Sequence, residues 1–433
     1  MTETLRMRID SIAHGGEGIG TLPSGKRVFV PLAAPGDQVE VEIVERRPRY
    51  ERGRILRVLE PGPERVAPVC PHAEDCGGCQ LQHLSIEGQL RAKERVFYDA
   101  LERLGRIGRD AIGAAHPVLP SPRPFRYRIR ARLRASGACL GYLRRQSHEL
   151  VPIQTCHLLV SELEDLVSAV RERLRERPIP WLAAVEFCVG EDGNGAVALE
   201  PGPAAPPDWA GGVESWLEIP GLVGVVVLPV RKGEPAEILG DPLLSRSAPL
   251  APDSTLLFRP DVFAQANAAA NEHLVRAAVE ELDPRPGMEV LELFAGTGNF
   301  SLAVAARGAR VMAIEGDPIA SALARQAVAA SPWGERIRVM RADARRAVDR
   351  LGREGRRYDS VLLDPPRTGA REVLEGIVRL GPSRIVYVSC DPATLARDLR
   401  ILVDSGYRVV STRPIDMFPQ TYHVEGVACL ERE

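Results

Sequence analysis

The spacing of apolar residues divides the chain into regions of different pattern. Between Ile9 and Leu59, short alternations of apolar and polar residues are broken by Gly and Pro, which predicts a small β-barrel. The Pro-Gly-Pro triplet at 61–63 marks its end. Beyond it, a stretch rich in Leu, Arg, Glu and Lys predicts a helix over 86–104, and mixed strands and helices continue to about residue 255.

After residue 260 the pattern changes to strands that alternate with helices, which is typical of a parallel sheet with helical crossovers. Apolar runs end at Leu293, Ile314, Leu363 and Val388, and a Gly, an acid or a Cys follows each run closely. Open α/β sheets bind their ligands at the carboxyl ends of strands. The predicted fold class is therefore α/β, with a Rossmann-like domain that carries its chemistry at this edge.

These changes of pattern predict three domains, over residues 1–62, 63–255 and 256–433. The first is a barrel of the oligonucleotide-binding (OB) type, the second a central α+β domain, and the third the Rossmann-like domain. The predicted helix over 86–104 is a candidate to pack on the third domain.

Composition narrows the class of protein but does not identify a partner. Among the 433 residues, 45% are hydrophobic, and no apolar run approaches the roughly 18 residues that a membrane-spanning helix needs. The first ten residues lack the basic end and apolar stretch of a secretory signal, so we expect a cytoplasmic protein without a membrane partner. No segment indicates a protein partner, so we expect a monomer. The net charge of −2 gives no support for a nucleic-acid partner, and any such argument must come from local patches.

A turn that contains two glycines follows the first strand of the third domain. The strand over 288–293 leads into a loop whose Gly296 and Gly298 allow a tight turn and a close approach to a ligand. Ser301 stands where a dinucleotide fingerprint has its third glycine, which argues against a nicotinamide cofactor.

Two acidic residues follow later strands in positions that suit a nucleoside. Glu315 ends a strand about twenty residues after the glycines, where its carboxylate can accept both ribose hydroxyls. Asp343 follows another short strand, at a position suited to an adenine amino group. This series of strand-end groups resembles the Rossmann-like S-adenosylmethionine methyltransferases and predicts that cofactor.

Two further strand ends carry an acid and a thiol. Asp364 is followed by two prolines and Arg367, and the prolines fix the turn because they cannot continue a strand. Cys390 follows the strand over 385–389. A lone cysteine in such a position is more often a small buried residue than a nucleophile, so the neighbouring motifs decide between the two.

Five segments together resemble the RNA 5-methyluridine methyltransferase family, whose members methylate uridines in transfer or ribosomal RNA. The resemblance covers nearly the whole chain, and the segments are 263–267, 293–300, 364–367, 389–392 and 418–425. It implies that Cys390 is the nucleophile and that Glu425 is the general base. The implied cofactor contacts are Gln265, Phe294, Glu315 and Asp364, to which the strand-end pattern adds Gly296, Asn299 and Asp343.

The chemistry of uracil explains why a thiol and a carboxylate are needed. Carbon 5 of the ring is a poor nucleophile until a group adds at carbon 6, and a thiolate adds readily and later leaves. A carboxylate must then remove the remaining proton from carbon 5 so that the thiolate can be eliminated. Cys390 and Glu425 fit these two roles.

A cluster of three cysteines is followed by a fourth some 77 positions later, and the set is Cys70, Cys76, Cys79 and Cys156. In a reducing compartment such thiols are typical of metal sites, and four of them can hold a [4Fe–4S] cluster or a zinc ion. The resemblance favours the iron–sulfur cluster. The spacing is not the Cys-x3-Cys-x2-Cys of radical enzymes, and Cys139, Cys188 and Cys429 are predicted core residues.

Two arginine-rich segments are candidates for RNA binding. Residues 125–134 alternate strictly, so a strand would place arginines on one face and apolar residues on the other. The positive charges of these arginines would repel one another unless a phosphate backbone neutralised them. The arginines predicted to contact RNA are Arg126, Arg128, Arg130 and Arg132. A second basic segment surrounds Tyr50 in the barrel, which resembles the TRAM domain, a small RNA-binding domain often fused to these enzymes.

Two other functions remain open on these observations. A methyltransferase of small molecules could use the same sheet, but the barrel and the arginines argue against it. A noncatalytic protein that binds or remodels RNA could keep the same fold, but Cys390 and Glu425 argue against that. The cysteine set favours ribosomal RNA, specifically 23S rRNA, by analogy within the family, and transfer RNA is the alternative substrate.

Overall fold

The N-terminal region of the computed structural model is a closed barrel. The structure describes residues 4–203, 205–231 and 233–433. The barrel strands are β1 (Thr4–Ile12), β2 (Gly18–Thr21), β3 (Arg27–Val30), β4 (Gln38–Arg46) and β5 (Tyr50–Glu60), paired in the order β1-β2-β3-β5-β4. Alternate residues of β4 point inward, with Val39 and Val41 fully buried, because side chains alternate between the faces of a strand. The predicted small barrel is confirmed.

The central region contains a second sheet. Its elements in chain order are α1 (Ile86–Arg103), β6 (Ala114–Ala115), β7 (Arg130–Ser136), β8 (Cys139–Leu143), β9 (Leu150–Pro152), α2 (Ser161–Glu176), β10 (Leu182–Val189), β11 (Gly195–Pro201), β12 (Leu222–Val227) and β13 (Glu237–Gly240). Within the described residues, seven of these strands form one sheet in the order β13-β12-β11-β10-β7-β8-β9. α2 packs on this sheet through Leu163, Val170 and Leu174, which share its buried face.

The C-terminal region is the Rossmann-like domain. Its elements are β14 (Leu244–Ser247), β15 (Thr255–Phe258), α3 (Ala268–Leu282), β16 (Glu289–Leu293), α4 (Ser301–Ala306), β17 (Arg310–Glu315), α5 (Pro318–Ala330), β18 (Ile337–Arg341), α6 (Ala344–Arg353), β19 (Ser360–Leu363), α7 (Arg371–Leu380), β20 (Arg384–Ser389), α8 (Pro392–Asp404), β21 (Tyr407–Ile415) and β22 (Glu425–Arg432). Over the described ranges, the sheet has eight strands in the order β18-β17-β16-β19-β20-β22-β21-β6. The strand order reverses between β16 and β19, and such a switch point opens a crevice for a ligand. The predicted fold class is confirmed.

The segment from α1 to β6 packs on the C-terminal sheet. β6 pairs with β21 at the edge of that sheet. Phe97 and Leu101 of α1 are fully buried and lie in the same core as Leu395 and Leu399 of α8. This helix therefore belongs to the C-terminal layer, although it precedes the central sheet in the chain.

Each helix of the C-terminal region buries one face against the sheet or its neighbours. In α7, for example, Leu374, Ile377 and Leu380 are buried while the charged residues face outward. In the part of the chain that the structure describes, no helix is both long and apolar enough to cross a bilayer.

The strand predicted over 125–134 is wrong in its first half. β7 begins only at Arg130, and Arg126 adopts a left-handed backbone conformation with a φ of 52°. The Ile129 N–H donates a hydrogen bond to the Ala266 carbonyl at 2.9 Å, so this segment joins the central sheet to the region before α3. Regular strand pairing therefore begins only at β7, although burial already alternates before it, with Tyr127 and Ile129 buried.

Candidate active site and thiol cavity

Three reactive side chains meet where β19, β20 and β22 have their ends. Ser389 pairs with Gly426 across β20 and β22, so Cys390 and Glu425, the next residues on each strand, lie beside one another. Asp364 leaves the neighbouring parallel strand β19 at the same edge. The structure thus brings together three residues that the sequence analysis assigned to the chemistry.

Burial favours the protonated forms of Glu425, Asp364 and Cys390. Glu425 is only 3% exposed, and loss of hydration raises the pKa of its carboxyl, with a further rise from the neighbouring Asp364. Burial likewise raises the pKa of Asp364. For Cys390, burial raises the pKa of the thiol to about 12, and Glu425 and Asp364 add to the rise. Near neutral pH this thiol needs a positive charge nearby to become a thiolate.

Arg367 is a cation that faces this site. Its charge lowers the pKa values of Cys390 and Glu425 and so opposes the effect of burial. The side chain is exposed at the mouth of the site. No role for Arg367 was predicted from the sequence, although the two prolines before it fix the turn that carries it.

The turn after β16 has the backbone that its glycines predict. Gly296 and Gly298 have φ values of 56° and 96°, and Phe294 shares the left-handed region with a φ of 61°. No atom lies within 4 Å of the place that a Cβ would occupy on either glycine, so a ligand can approach this backbone closely. A non-glycine residue in the left-handed region, as at Phe294, often marks a functional turn.

Glu315 is fixed beside this turn. Its Oε2 accepts a hydrogen bond from the Gly296 backbone N–H at 2.7 Å, and its Oε1 accepts one from the Asp317 N–H at 2.7 Å. An ionised carboxylate has about four acceptor positions, so two hydroxyl groups of a ribose can still be accommodated. The predicted ribose contact fits this position and stays a prediction.

The other predicted cofactor contacts have varied surroundings. Asp343 is the N-cap of α6 and accepts a hydrogen bond from the Arg346 backbone N–H at 3.0 Å. Asn299 exchanges two amide hydrogen bonds with Asn271 of α3, at 2.8 and 2.9 Å. Gln265 is half-buried in the segment before α3. Contact of these residues with a cofactor stays a prediction.

The sequence analysis missed a buried acid in β16. Glu292 is 1% exposed and accepts a hydrogen bond from the Ser301 hydroxyl, while its second oxygen has no partner among the described residues. Burial raises the pKa of this carboxyl to about 8, although the Ser301 hydroxyl acts in the opposite direction. A single acid within an apolar strand can face either solvent or the core, and the sequence does not show which.

We expect Glu292→Gln to change the pH dependence of stability. Between pH 4.5 and about 8 the folded protein keeps a proton on Glu292 that the unfolded chain releases, so the free energy of unfolding falls as pH rises through this window. An amide cannot ionise and removes this loss. Urea denaturation gives the free energy of unfolding of both proteins at each pH. The value for the variant minus the value for wild type should increase by on the order of 3 kcal/mol from about pH 5 to about pH 9. The same difference between the two proteins at both pH values would contradict a protonated Glu292.

The loop before β22 is held by α1. Lys93 is 1% exposed and donates to Asp416 Oδ1 at 2.5 Å and to the Phe418 carbonyl at 3.0 Å. The side chain of Gln89 donates to Gln420 Oε1 at 2.9 Å and accepts a hydrogen bond from the Gln420 backbone N–H at 2.8 Å. These contacts fix the loop that leads to the candidate base.

Lys93→Met should lower the free energy of unfolding by about 3 to 5 kcal/mol, because it leaves the carboxylate of Asp416 buried without its partner. Urea denaturation measures the loss. A double variant with Asp416→Leu removes both charges and should recover most of the stability. A single variant as stable as wild type would mean that this ion pair does not hold the loop.

The four clustered cysteines line one small cavity of about 60 Å³, and they are Cys70, Cys76, Cys79 and Cys156. Burial raises the pKa of the Cys79 thiol to about 12 and also raises those of Cys76 and Cys156. As the side chains of the described residues stand, no group of three or more His, Cys, Asp or Glu is arranged to hold a metal ion. The predicted ligands are therefore neighbours, but not in a metal-binding arrangement.

The thiol cavity adjoins the loop before β22. Arg128 lines the cavity, and its guanidinium lies 5.4 Å from the centre of the Phe418 ring. The backbone N–H groups of Gln80 and Leu81, directly after the third cysteine, donate to the Gln420 carbonyl at 3.0 and 2.9 Å. The cysteine segment and the active-site loop are thus in direct contact.

Of the four arginines predicted to bind RNA, three form ion pairs inside the protein. The pairs are Arg126 with Glu164, Arg130 with Glu186, and Arg132 with Glu200. These carboxylates remove the repulsion that the sequence analysis assigned to a phosphate backbone. The pairs of Arg126 and Arg132 are exposed and weak, and they do not prevent a contact with RNA. Arg130 is mostly buried and also donates to the Val262 and Pro260 carbonyls, so it is less available. The RNA role of the four arginines stays a prediction.

Comparison with protein families gives two matches. A family model described as tRNA (Uracil-5-)-methyltransferase matches residues 253–433, and a TRAM domain model matches residues 2–56. The first match spans most of the C-terminal region, and the second spans most of the barrel.

Several known proteins are similar to this chain over nearly its full length. The 23S rRNA (uracil(1939)-C(5))-methyltransferase RlmD of Shewanella sp. (strain ANA-3) is 34% identical over 443 residues, which cover 98% of this chain and 94% of the relative. The protein of that name from Aeromonas hydrophila subsp. hydrophila is 35% identical over 441 residues, with coverages of 100% and 97%. The crystal structure of Pyrococcus abyssi tRNA (uracil-54, C5)-methyltransferase in complex with S-adenosyl-L-homocysteine has a TM-score of 0.75 at 26% identity, and the match covers 98% of this chain and 99% of that chain.

Proposed function

Since the chain belongs to the family of RNA uracil-C5 methyltransferases, we propose that Cys390 forms a covalent adduct with a uridine of 23S rRNA. The family establishes the class of reaction, which transfers a methyl group from S-adenosylmethionine to carbon 5 of an RNA uridine. The observation that carries the proposal is the meeting of Cys390, Glu425 and Asp364 at one edge of the sheet.

The residues around the glycine turn suit the cofactor. Bound S-adenosylmethionine supplies a methyl group on a positively charged sulfur. Glu315 is held by backbone N–H groups of Gly296 and Asp317, so its remaining lone pairs can accept the ribose hydroxyls. The open space beside Gly296 and Gly298 leaves room for the rest of the ligand.

Cys390 begins the reaction as a thiolate that adds to carbon 6 of the uracil. The electrons of the double bond between carbons 5 and 6 move toward the carbonyl at carbon 4 and give an enolate. Carbon 5 of the enolate takes the methyl group, and S-adenosylhomocysteine is the leaving group. Arg367 stabilises the thiolate, since its positive charge lowers the pKa that burial raises.

Glu425 completes the reaction by removing the proton that carbon 5 still carries. The electron pair of that bond re-forms the ring double bond and expels the thiolate of Cys390. Burial raises the pKa of Glu425, which makes its carboxylate a stronger base than an exposed carboxylate. Asp364 raises this pKa further and therefore supports the same step.

The target uridine must leave its stack to reach Cys390. Extrusion of a base costs a few kcal/mol, and least in loops of RNA. Phe263 lies two residues before Gln265 and is 72% exposed, more than any other large hydrophobic side chain in the described residues. We assign it to stacking with a base of the RNA, because an aromatic ring gains from covering a nucleobase.

Ribosomal RNA is favoured over transfer RNA by the degree of similarity. The relatives at 34% and 35% identity are named for uracil 1939 of 23S rRNA, whereas the solved structure at 26% identity is named for a tRNA uridine. We therefore assign this chain to the corresponding uridine of 23S rRNA. An rRNA substrate implies that the protein acts in the cytoplasm. One chain supplies every proposed site residue, which is consistent with the predicted monomer.

Mass mapping of RNA from cells with and without this protein tests the substrate. We expect 5-methyluridine at one position of 23S rRNA to disappear when the protein is absent. Loss of the modification from tRNA alone would replace the proposed substrate with tRNA. An unchanged set of 5-methyluridines in both RNAs would contradict the proposed function.

We assign the thiol cavity to an iron–sulfur cluster of the [4Fe–4S] type. Cysteine thiolates are the usual ligands of such clusters, and zinc is the alternative that the same four thiols allow. The four side chains share one cavity but would have to turn toward a common centre to bind. A bound cluster would tie together the segments that carry these residues.

Anaerobic purification followed by metal and sulfide analysis tests this assignment. We expect iron and inorganic sulfide in equal amounts, with a broad visible absorbance band that Cys76→Ser removes. Cys139→Ser is the matched control, since Cys139 is exposed and lies outside the cavity. Zinc without sulfide would replace the cluster with a zinc site, and a metal-free protein would contradict both.

A further inference from the structure

The most basic stretch of the chain lies where no RNA contact was predicted. Residues 336–357 contain nine arginines and three acidic residues, although the whole chain has a net charge of −2. Eight of these arginines are exposed on β18, on α6 or just after it. Arg350 pairs with Glu354, and Arg357 donates to the Arg379 and Leu380 carbonyls, which leaves six others. They define the arginine edge, which consists of Arg338, Arg341, Arg345, Arg346, Arg353 and Arg356.

Among the residues that the structure describes, none of these six arginines forms an ion pair. The three acids of the stretch are engaged elsewhere. Asp349 pairs with Arg379 at 2.8 Å, Glu354 pairs with Arg350 at 2.7 Å, and Asp343 caps α6. Glu354 also interacts electrostatically with Arg356 and Arg338, so neighbouring carboxylates neutralise the arginine edge only in part.

The two arginine clusters predicted to bind RNA are different, because the protein supplies counterions for most of their members. The barrel pairs are Arg47 with Glu45, Arg52 with Glu17, Arg54 with Glu42, and Arg57 with Glu40. On and before β7, three of the four predicted arginines are paired as described above. An unpaired cluster of like charges attracts anions from outside the chain more strongly than a paired one.

A shallow depression gives this surface a shape as well as a charge. It lies beside β18 and has a volume of about 690 Å³. Its charged lining residues are Arg325 of α5, Arg338 of β18 and one acid, Glu335, so its net charge is positive. A concave surface with guanidinium groups on two elements suits a chain of phosphates, since a planar guanidinium can donate two hydrogen bonds to one phosphate.

The arginine edge lies within reach of an RNA that occupies the active site. β18 is the outer strand of the eight-stranded sheet, and Arg341 at its end pairs in register with Glu315 of β17. Four strand spacings separate β18 from β20, which leads to Cys390, so the two sites lie roughly 20 Å apart. An RNA that extends well beyond its target uridine can therefore span both.

We propose that the arginine edge binds the phosphate backbone of the substrate RNA, outside the nucleotides that immediately surround the target uridine. This inference rests on the proposed function. Contacts to phosphates add affinity and orientation without reading sequence, so recognition of the uridine stays with the active site. A long, structured RNA can reach the arginine edge and a short fragment with the same uridine cannot, so the protein binds the long RNA more tightly.

The test uses two variants that each lose three exposed arginines. The test variant combines Arg338→Gln, Arg345→Gln and Arg346→Gln, and the control variant combines Arg103→Gln, Arg231→Gln and Arg276→Gln. The control arginines already have carboxylate partners in the protein. All six positions are exposed, and surface substitutions change stability little, so both variants should fold. Each is tested with a minimal hairpin that contains the target uridine and with a longer transcript of the same region.

For the long transcript, the test variant should raise the Kd roughly 10- to 100-fold at physiological salt, and the salt dependence of log K should become shallower by about 2 to 3. Its Kd and kcat with the hairpin should match those of wild type and of the control. An equal loss of affinity for both transcripts, or no loss relative to the control, would overturn the proposal.

Unchanged RNA binding with lost binding to anionic lipid vesicles would overturn it in favour of a membrane surface. A wild-type protein that binds the long transcript but methylates neither RNA would contradict the proposed function and leave the arginine edge supported.

Discussion

Cys390→Ala should lower the rate of uridine methylation at least about 10⁴-fold while leaving the Kd for RNA within about twofold of wild type. Without sulfur at carbon 6, carbon 5 of the ring stays too weak a nucleophile to take the methyl group. The rate is measured as transfer of labelled methyl groups to a transcript that contains the target uridine. RNA binding is measured separately, so that loss of chemistry is distinguished from loss of the fold.

Cys139→Ala is the matched control for this experiment. Cys139 is an exposed thiol in β8, away from the edge where β20 ends, so its removal should leave the rate unchanged. A Cys390→Ala protein that retained more than about one hundredth of the wild-type rate would rule out an obligatory adduct with this residue.

Glu425→Gln should stop the reaction after methyl transfer and not before it. The amide cannot take the proton from carbon 5, so the thiolate of Cys390 cannot be expelled and the adduct accumulates. Product release should fall about 10²- to 10⁴-fold, while a complex of protein and methylated RNA survives denaturing electrophoresis. In wild type, the rate should rise with pH as Glu425 loses its proton, since burial raises the pKa of this carboxyl.

The double variant Cys390→Ala with Glu425→Gln is the control for the trapped complex. It should form no complex that survives denaturation, because it lacks the sulfur that makes the bond. A Glu425→Gln protein that turned over at the wild-type rate would assign the proton transfer to another group.

The edge of the sheet that carries the site was predictable because strand ends are visible in the sequence. An apolar run stops before Asp364 and another stops before Cys390, and parallel strands present their carboxyl ends together. The position of Glu425 was not visible in this way. It depends on the pairing of Ser389 with Gly426 across two antiparallel strands, and the family resemblance supplied what the pattern could not.

The contacts that hold the active-site loop could not be predicted from local pattern. Lys93 and Asp416 are 323 positions apart, and Gln89 and Gln420 are 331 apart. A lysine in a helix rich in charged residues is expected at the surface, and only the docking of α1 on the C-terminal sheet buries it. Sequence patterning predicted the helix but not which of its polar residues are buried.

A charge pattern in the sequence does not show which arginines have counterions within the protein. The arginines at and before β7 alternate in the sequence as an RNA-binding strand would. Their neutralising partners Glu164, Glu186 and Glu200 lie 38, 56 and 68 positions away, so no local pattern connects them to the arginines. The stretch over 336–357 shows the opposite case, because Arg350 alone of its nine arginines forms an ion pair within the described residues. The fold determines whether a charged side chain has a counterion within the protein.

A transcript whose target uridine is replaced by 5-fluorouridine tests covalent attack by Cys390 most directly. Fluorine at carbon 5 cannot be removed as a proton is, so Glu425 cannot complete the elimination and the thiolate stays bound. The account predicts a protein–RNA complex that forms with S-adenosylmethionine, survives denaturation and yields a crosslinked peptide that contains Cys390. A crosslink at another residue, or no crosslink with a transcript whose unmodified form is methylated, would contradict it.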